Sequence, residues 1–188
     1  DQHFDSDLSG KLLVTAGLGV AGAAQLPAAC MNGATVLCAE PDARWIDRFQ
    51  GQGVFHHRLD DLDAAVDLAM GLREGQMAQA VVWAGAYPEL LAKLQAREIS
   101  IDLLTDLSGG ESFADGEAGS GAADDAAGLV AQQQRAVERV RTMLEIRERG
   151  AVAWEFGNGL RRLARAGGLQ EAFDLPSFYE AYLRPRVA

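Results

Sequence analysis

Metal ligands and cross-links are scarce in this chain. Its 188 residues include two cysteines and three histidines, and Cys30 and Cys38 form no Cys-x-x-Cys pair, so neither a zinc site nor a disulfide framework is indicated. Buried free thiols are the expectation. Positive charge is also short: 17 Lys and Arg face 27 Asp and Glu, a formal net charge of −10. The basic surface that nucleic acid or an anionic membrane requires is missing, which argues against both as partners. No apolar run approaches the roughly 20 residues of a membrane span. The opening DQHFDSDLSG lacks the basic-then-apolar order of a secretion signal. A cytoplasmic protein is therefore expected. Because the first residue is Asp1, excision from a longer chain is expected too.

Apolar residues make up 48% of the chain, enough for one domain with a full core at this length. Apolar runs alternate with helical patterns. KLLVTA (11–16), ATVLCAE (34–40), GVFHHR (53–58), AQAVVWAG (78–85), IDLLTD (101–106) and AVAWEFG (151–157) read as strands. Helices are predicted from Gly22 to about Asn32, through PDARWIDRF, DDLDAAVDLAMGLREG and YPELLAKLQAREI, from Leu129 to Arg149, and in NGLRRLARAGG. In the helix from Leu129, Val130, Val137, Val140, Met143 and Leu144 form the apolar stripe. This alternation predicts a doubly wound parallel α/β sheet with helices on both faces, a three-layer Rossmann-like fold over residues 1–188. Residues 108–128 are rich in Gly, Ala, Ser and acids and read as a surface loop, either a lid or a solvated linker.

Gly17, Gly19 and Gly22 have GxGxxG spacing between the first strand and the first helix. In a dinucleotide fold the first glycine allows the tight turn, the second a close backbone approach, and the third helix-on-strand packing. The helix start would offer unpaired amides and its positive dipole end to a pyrophosphate, which an acidic protein can also use. Glu40 closes the second strand at the position of the acid that accepts from ribose hydroxyls, favouring NAD over NADP. The competing reading is a glycine turn kept for packing in a domain without a ligand.

GKLLVTAGLGVAGAAQLPAACMNGATVLCAE closely resembles the central NAD-binding domain of urocanase, the urocanate hydratase of histidine breakdown. WIDRF, LLTD, EFGNGLRRLARAGG and AFDLPSFYEAYLRP resemble later segments of that family in the same order. The resemblance implies tightly held NAD⁺ acting as an electrophile in the hydration of urocanate or a modified imidazole acrylate. It also implies flanking segments, absent from this chain, that build much of the substrate site, and extends to a homodimer of the intact protein. It further implies that the amides of Val20, Ala21 and Gly22 face the pyrophosphate, that Glu40 binds ribose, and that Arg44, Ser108 and Gly157 contact the cofactor; it supplies no catalytic residue within the chain. The family's Gly-Gly-Met-Gly-Gly turn reads Gly-Val-Ala-Gly-Ala here (19–23), with Val20 in place of a glycine where the backbone would approach the ligand, and Trp45 stands at the family's arginine position, with Arg44 one residue early. Ala86 and Tyr87 replace an Asn-Ala pair, Leu107 an amide, Glu111 a histidine and Phe156 a tyrosine. The adenosine half of the site is thus kept and the nicotinamide half rebuilt. The alternative is a non-catalytic relative that binds an adenine nucleotide or a protein partner.

Other clusters read more plainly. Adjacent His56 and His57 point to opposite faces of a strand. Asp60, Asp61 and Asp63 lack the spacing of a calcium loop and suit a helix start. Arg161, Arg162 and Arg165 are expected in solvated ion pairs near Glu155 and Glu171, with substrate-carboxylate binding as the alternative.

Overall fold

Four short runs without a charged residue before their last position, bounded by turns, become strands whose residues are buried almost throughout, the signature of a sheet covered on both faces. The computed structural model describes Phe4, residues 7–108 and residues 126–187. The chain divides into two compact units, Asp1–Ser108 and Gly109–Ala188.

The first unit runs β1 (Leu12–Ala16), α1 (Val20–Met31), β2 (Thr35–Ala39), α2 (Ala43–Phe49), β3 (His57–Leu59), α3 (Leu62–Glu74), β4 (Ala80–Trp83), α4 (Tyr87–Ala96) and β5 (Leu103–Asp106). Its strands pair in parallel in the order β3-β4-β2-β1-β5, with Leu12 opposite Thr35, Val36 opposite Ala80 and Leu13 opposite Leu103. The crossovers through α1 and α2 move one way along the sheet and those through α3 and α4 move back. Right-handed connections therefore place the two helix pairs on opposite faces. Ion pairs from α3 to α4, Lys93–Asp63 at 2.9 Å and Arg97–Asp67 at 2.6 Å, agree with that placement. This is the expected doubly wound, Rossmann-like α/β architecture. The chain leaves β1 toward β2 and returns with β5 on its other side, the arrangement that opens a ligand crevice at the carboxyl ends of the strands.

At the far end of the sheet, Asp102 accepts from the Leu12 amide at 2.9 Å and from Arg73 at 2.7 Å, and pairs with Lys11 at 3.3 Å. This carboxylate fixes the entry to β1 well away from the glycine turn.

The second unit contains α5 (Ala126–Glu148), β6 (Val152–Glu155), α6 (Gly159–Ala166), a 3₁₀ turn (Ala172–Asp174), a π-helical turn (Tyr179–Leu183) and α7 (Arg184–Val187). Its buried stripe on α5 is Ala136, Val140, Met143 and Ile146. Val140 and Met143 were expected in it. Val130 is half exposed, because it lies on the first turns of the helix ahead of that stripe. The expected loop at 108–128 lies, apart from its ends, outside the described residues, as does Glu111.

Candidate functional site

The first strand ends at Ala16, and the turn that follows is forced by backbone geometry. Gly17 has φ +90°, a left-handed conformation, and a β-carbon there would come within 2.8 Å of the Leu107 carbonyl carbon and the Ser108 nitrogen. Its own N–H donates to the Ala39 carbonyl at 3.0 Å, and the Leu107 N–H donates to Ala16 at 2.9 Å, so the turn is clamped between the ends of β2 and β5. At Gly22, a β-carbon would collide with the Gly17 carbonyl oxygen. The first and third glycines are therefore both required by packing.

What the turn presents is the start of α1. Gly19 is the N-cap and offers no side-chain acceptor, and the first turn contains no acidic residue. Helices α2 and α3 differ, while α4 likewise starts without a side-chain cap, at Ala86, but has Glu89 in its first turn. Asp42 caps α2 by accepting from the Arg44 amide, and Asp61 caps α3 by accepting from the Ala64 amide. In the second unit Glu155 accepts from the Leu160 and Arg161 amides and closes the start of α6. Helix α1 thus opens with orphan donors and a positive dipole end, at the carboxyl edge of the sheet. Val20, 63% exposed, and Ala21 stand in solvent there, while Gly22 is buried against the turn.

Glu40 lies directly beside this turn and is only 4% exposed. One carboxylate oxygen accepts from the Leu18 N–H at 2.7 Å, the other from the Asp42 N–H at 2.8 Å. The acid at the tip of β2 thus bonds the segment between the first two glycines, a link not visible in the sequence because its partners are backbone groups. Arg44 has a side chain 90% exposed and forms an ion pair with Asp42, Nη2 to Oδ2 at 2.6 Å. That guanidinium holds the Asp42 carboxyl below its ordinary range. Trp45 stacks on Phe49 with Arg48 over its ring.

On the β5 side, Ser108 donates through both its amide (3.0 Å) and its hydroxyl (2.7 Å) to Asp106. An Asp two residues before a Ser is a sequence signal for this local turn. Leu107 is buried, and Tyr87 is buried with its hydroxyl donating to the Thr105 carbonyl at 2.9 Å. Tyr87 ties the start of α4 to β5. The Thr105 hydroxyl, beside that link, is buried without a hydrogen-bond partner.

The remaining candidates make contacts of their own. Gly157 belongs to the second unit, is exposed, and accepts from Arg161 at 3.4 Å. Arg161 corrects the expectation of solvated ion pairing. It is 2% exposed, bonds Glu155 at 3.0 Å, the Leu175 carbonyl at 2.9 Å and Asn158, and lies over the Phe173 ring. The helical pattern placed Arg161 near Glu155 but could not show that residues 172–178 cover both. His56 accepts from the Ala80 amide and His57 contacts Gln79, each in its own place. Asp61 caps α3 as expected, and no cluster of His, Cys, Asp and Glu suited to a metal occurs among the described residues. Both thiols are free, Cys38 buried and Cys30 half-buried. Burial pushes the Cys30 thiol up to about 11, and burial followed by the Glu40 and Asp106 charges pushes Cys38 further up, which leaves both unreactive.

A doubly wound sheet with a glycine turn leading into an uncapped helix defines a Rossmann-like domain. The model of the urocanase family's Rossmann-like domain matches residues 1–182, across both units, and the chain belongs to the urocanase family. No helix among the described residues is long and apolar enough to cross a membrane.

Proposed function

We propose that this chain is the NAD⁺-binding part of a urocanase-like hydratase acting on urocanate or a modified imidazole acrylate in the cytoplasm, with flanking segments completing the substrate site. The observation that carries this reading is the uncapped start of α1 at the carboxyl edge of the sheet, with the Glu40 carboxylate beside it. The amides of Val20, Ala21 and Gly22 receive the pyrophosphate. The helix dipole supports that charge where the protein's net charge of −10 would oppose it. Two of the carboxylate's roughly four lone-pair directions serve Leu18 and Asp42, leaving acceptor capacity for ribose hydroxyls. A 2′-phosphate would meet the same carboxylate, so NAD⁺ is favoured over NADP⁺. Arg44 and Ser108 contribute around this core. When bound, NAD⁺ supplies an electrophilic ring to the imidazole substrate.

A second reading, an adenine-nucleotide domain without catalysis, is favoured by the apolar Leu107 and the engaged Tyr87 hydroxyl on the β5 side. Thermal melting of the 188-residue chain with NAD⁺, NADH, NADP⁺ and AMP tests both. A ligand at a hundredfold excess over Kd adds about 2.7 kcal/mol, roughly 5–10 °C for a chain of this size. A shift with NAD⁺ exceeding that with AMP supports the hydratase reading, equal shifts support the second, and no shift with any of the four rejects nucleotide binding.

A further inference from the structure

We infer that Glu40 is a positioning residue whose carboxylate holds the glycine turn in its phosphate-receiving form, so that binding of a pyrophosphate bearing no sugar also depends on it. The phosphate arm of this inference rests on the nucleotide reading above; the positioning itself does not.

The geometry is specific. Each carboxylate oxygen takes one backbone N–H, Leu18 at 2.7 Å and Asp42 at 2.8 Å, at a site where the residue is only 4% exposed. Leu18 belongs to neither strand nor helix and is itself completely buried, so its N–H has no water to turn to if this acceptor is lost. Gly17 before it is fixed by the Ala39 carbonyl and by the backbone of Leu107 and Ser108. Gly19 after it begins α1. The Leu18–Glu40 bond therefore sets the direction in which the chain enters the helix, and with it the aim of the helix's first amides. The second bond reaches Asp42, which in turn caps α2 and pairs with Arg44. One carboxylate thus ties the phosphate turn to the start of α2.

Glu40→Gln separates this role from sugar binding. An amide has the same shape but one acceptor oxygen, so one of the two N–H donors must face an NH₂ group. Simple electrostatics predicts the opposite outcome for phosphate: removing a negative charge beside the turn should tighten anion binding.

Two measurements decide the matter. In the ligand-free chain, hydrogen exchange followed residue by residue should show the Leu18 and Asp42 amides protected. In the Glu40→Gln chain their exchange should rise at least tenfold, with α3 and β4 unchanged. Fast exchange at Leu18 in the wild type, or no change in the variant, overturns the inference; the wild-type result stands even if the variant does not fold. Calorimetry with inorganic pyrophosphate and with ADP-ribose should then show both weakened, pyrophosphate roughly tenfold, as loss of a buried charged hydrogen bond implies, and ADP-ribose by at least that factor because its ribose loses an acceptor as well. Weakened ADP-ribose with pyrophosphate unchanged or tightened makes Glu40 a sugar ligand alone and overturns the inference. If the wild type binds neither probe, the nucleotide reading is what fails, and the exchange data still judge the positioning.

Discussion

Single side chains in this protein act mostly on backbone groups. Glu40 bonds two amides, Asp106 accepts from the Ser108 amide and hydroxyl, Tyr87 donates to a carbonyl, and Arg161 reaches the Leu175 carbonyl besides its carboxylate partner. Such roles are hidden from a sequence, which shows the residue type but not the carbonyl or amide it meets. Arg161 shows the energetic consequence. Its charge is compensated by Glu155 in a place water does not reach, and removing one partner strands the other. Arg161→Met is expected to cost about 3–5 kcal/mol in urea unfolding. Adding Glu155→Gln to that variant should recover part of the loss, since no unpaired charge then remains, but not all of it, because one of the Leu160 and Arg161 amides then faces an NH₂ group. A loss below about 1 kcal/mol for the single change would show that the pair is more hydrated than its burial indicates.

Among the elements, strands were the most legible. LLVTA, TVLCA, AVVW and LLTD each form a strand where a continuous apolar run predicts one, because a parallel sheet buried on both faces leaves little room for polar alternation. Helix starts marked by aspartate, at Asp42 and Asp61, were equally readable. The closing segment was not. Pro176, Pro185 and closely spaced aromatics there give no single period, and the chain forms a 3₁₀ turn and a π-helical turn, with Phe178 and Tyr182 meeting Trp154 of β6 ring to ring. The glycine turn was legible as well, with the tight turn at Gly17 and close packing at Gly22 both expected; only the backbone atoms that a β-carbon at each would meet had to come from the structure. Gly22→Ala should destabilise the chain by about 3 kcal/mol, since the added methyl meets backbone that cannot rotate away. Gly157→Ala, with open space around the position, should stay within about 0.5 kcal/mol. Denaturant midpoints of the two variants side by side check this.

For the whole molecule, charge and family membership set different limits. A net charge of −10 carries no favourable long-range field toward polyanions. The chain is expected to pass a heparin column without retention in about 0.15 M salt, where the Debye length is about 8 Å. Retention would expose a basic patch that the overall count conceals. Of the candidate site, the sequence displayed the glycine spacing and the acid after β2, both of which the structure brings together at one turn. It could not display that Leu107 and Tyr87 are buried on the β5 side with the Tyr87 hydroxyl on the Thr105 carbonyl, since that depends on strand order. Position 19 carries a last consequence. Serine or aspartate there would strengthen α1 in isolation by about a few tenths of a kcal/mol, and would do so by occupying the very donors an incoming anion needs. On the proposed nucleotide reading, glycine at position 19 is the residue that leaves those donors open, at the expense of helix stability.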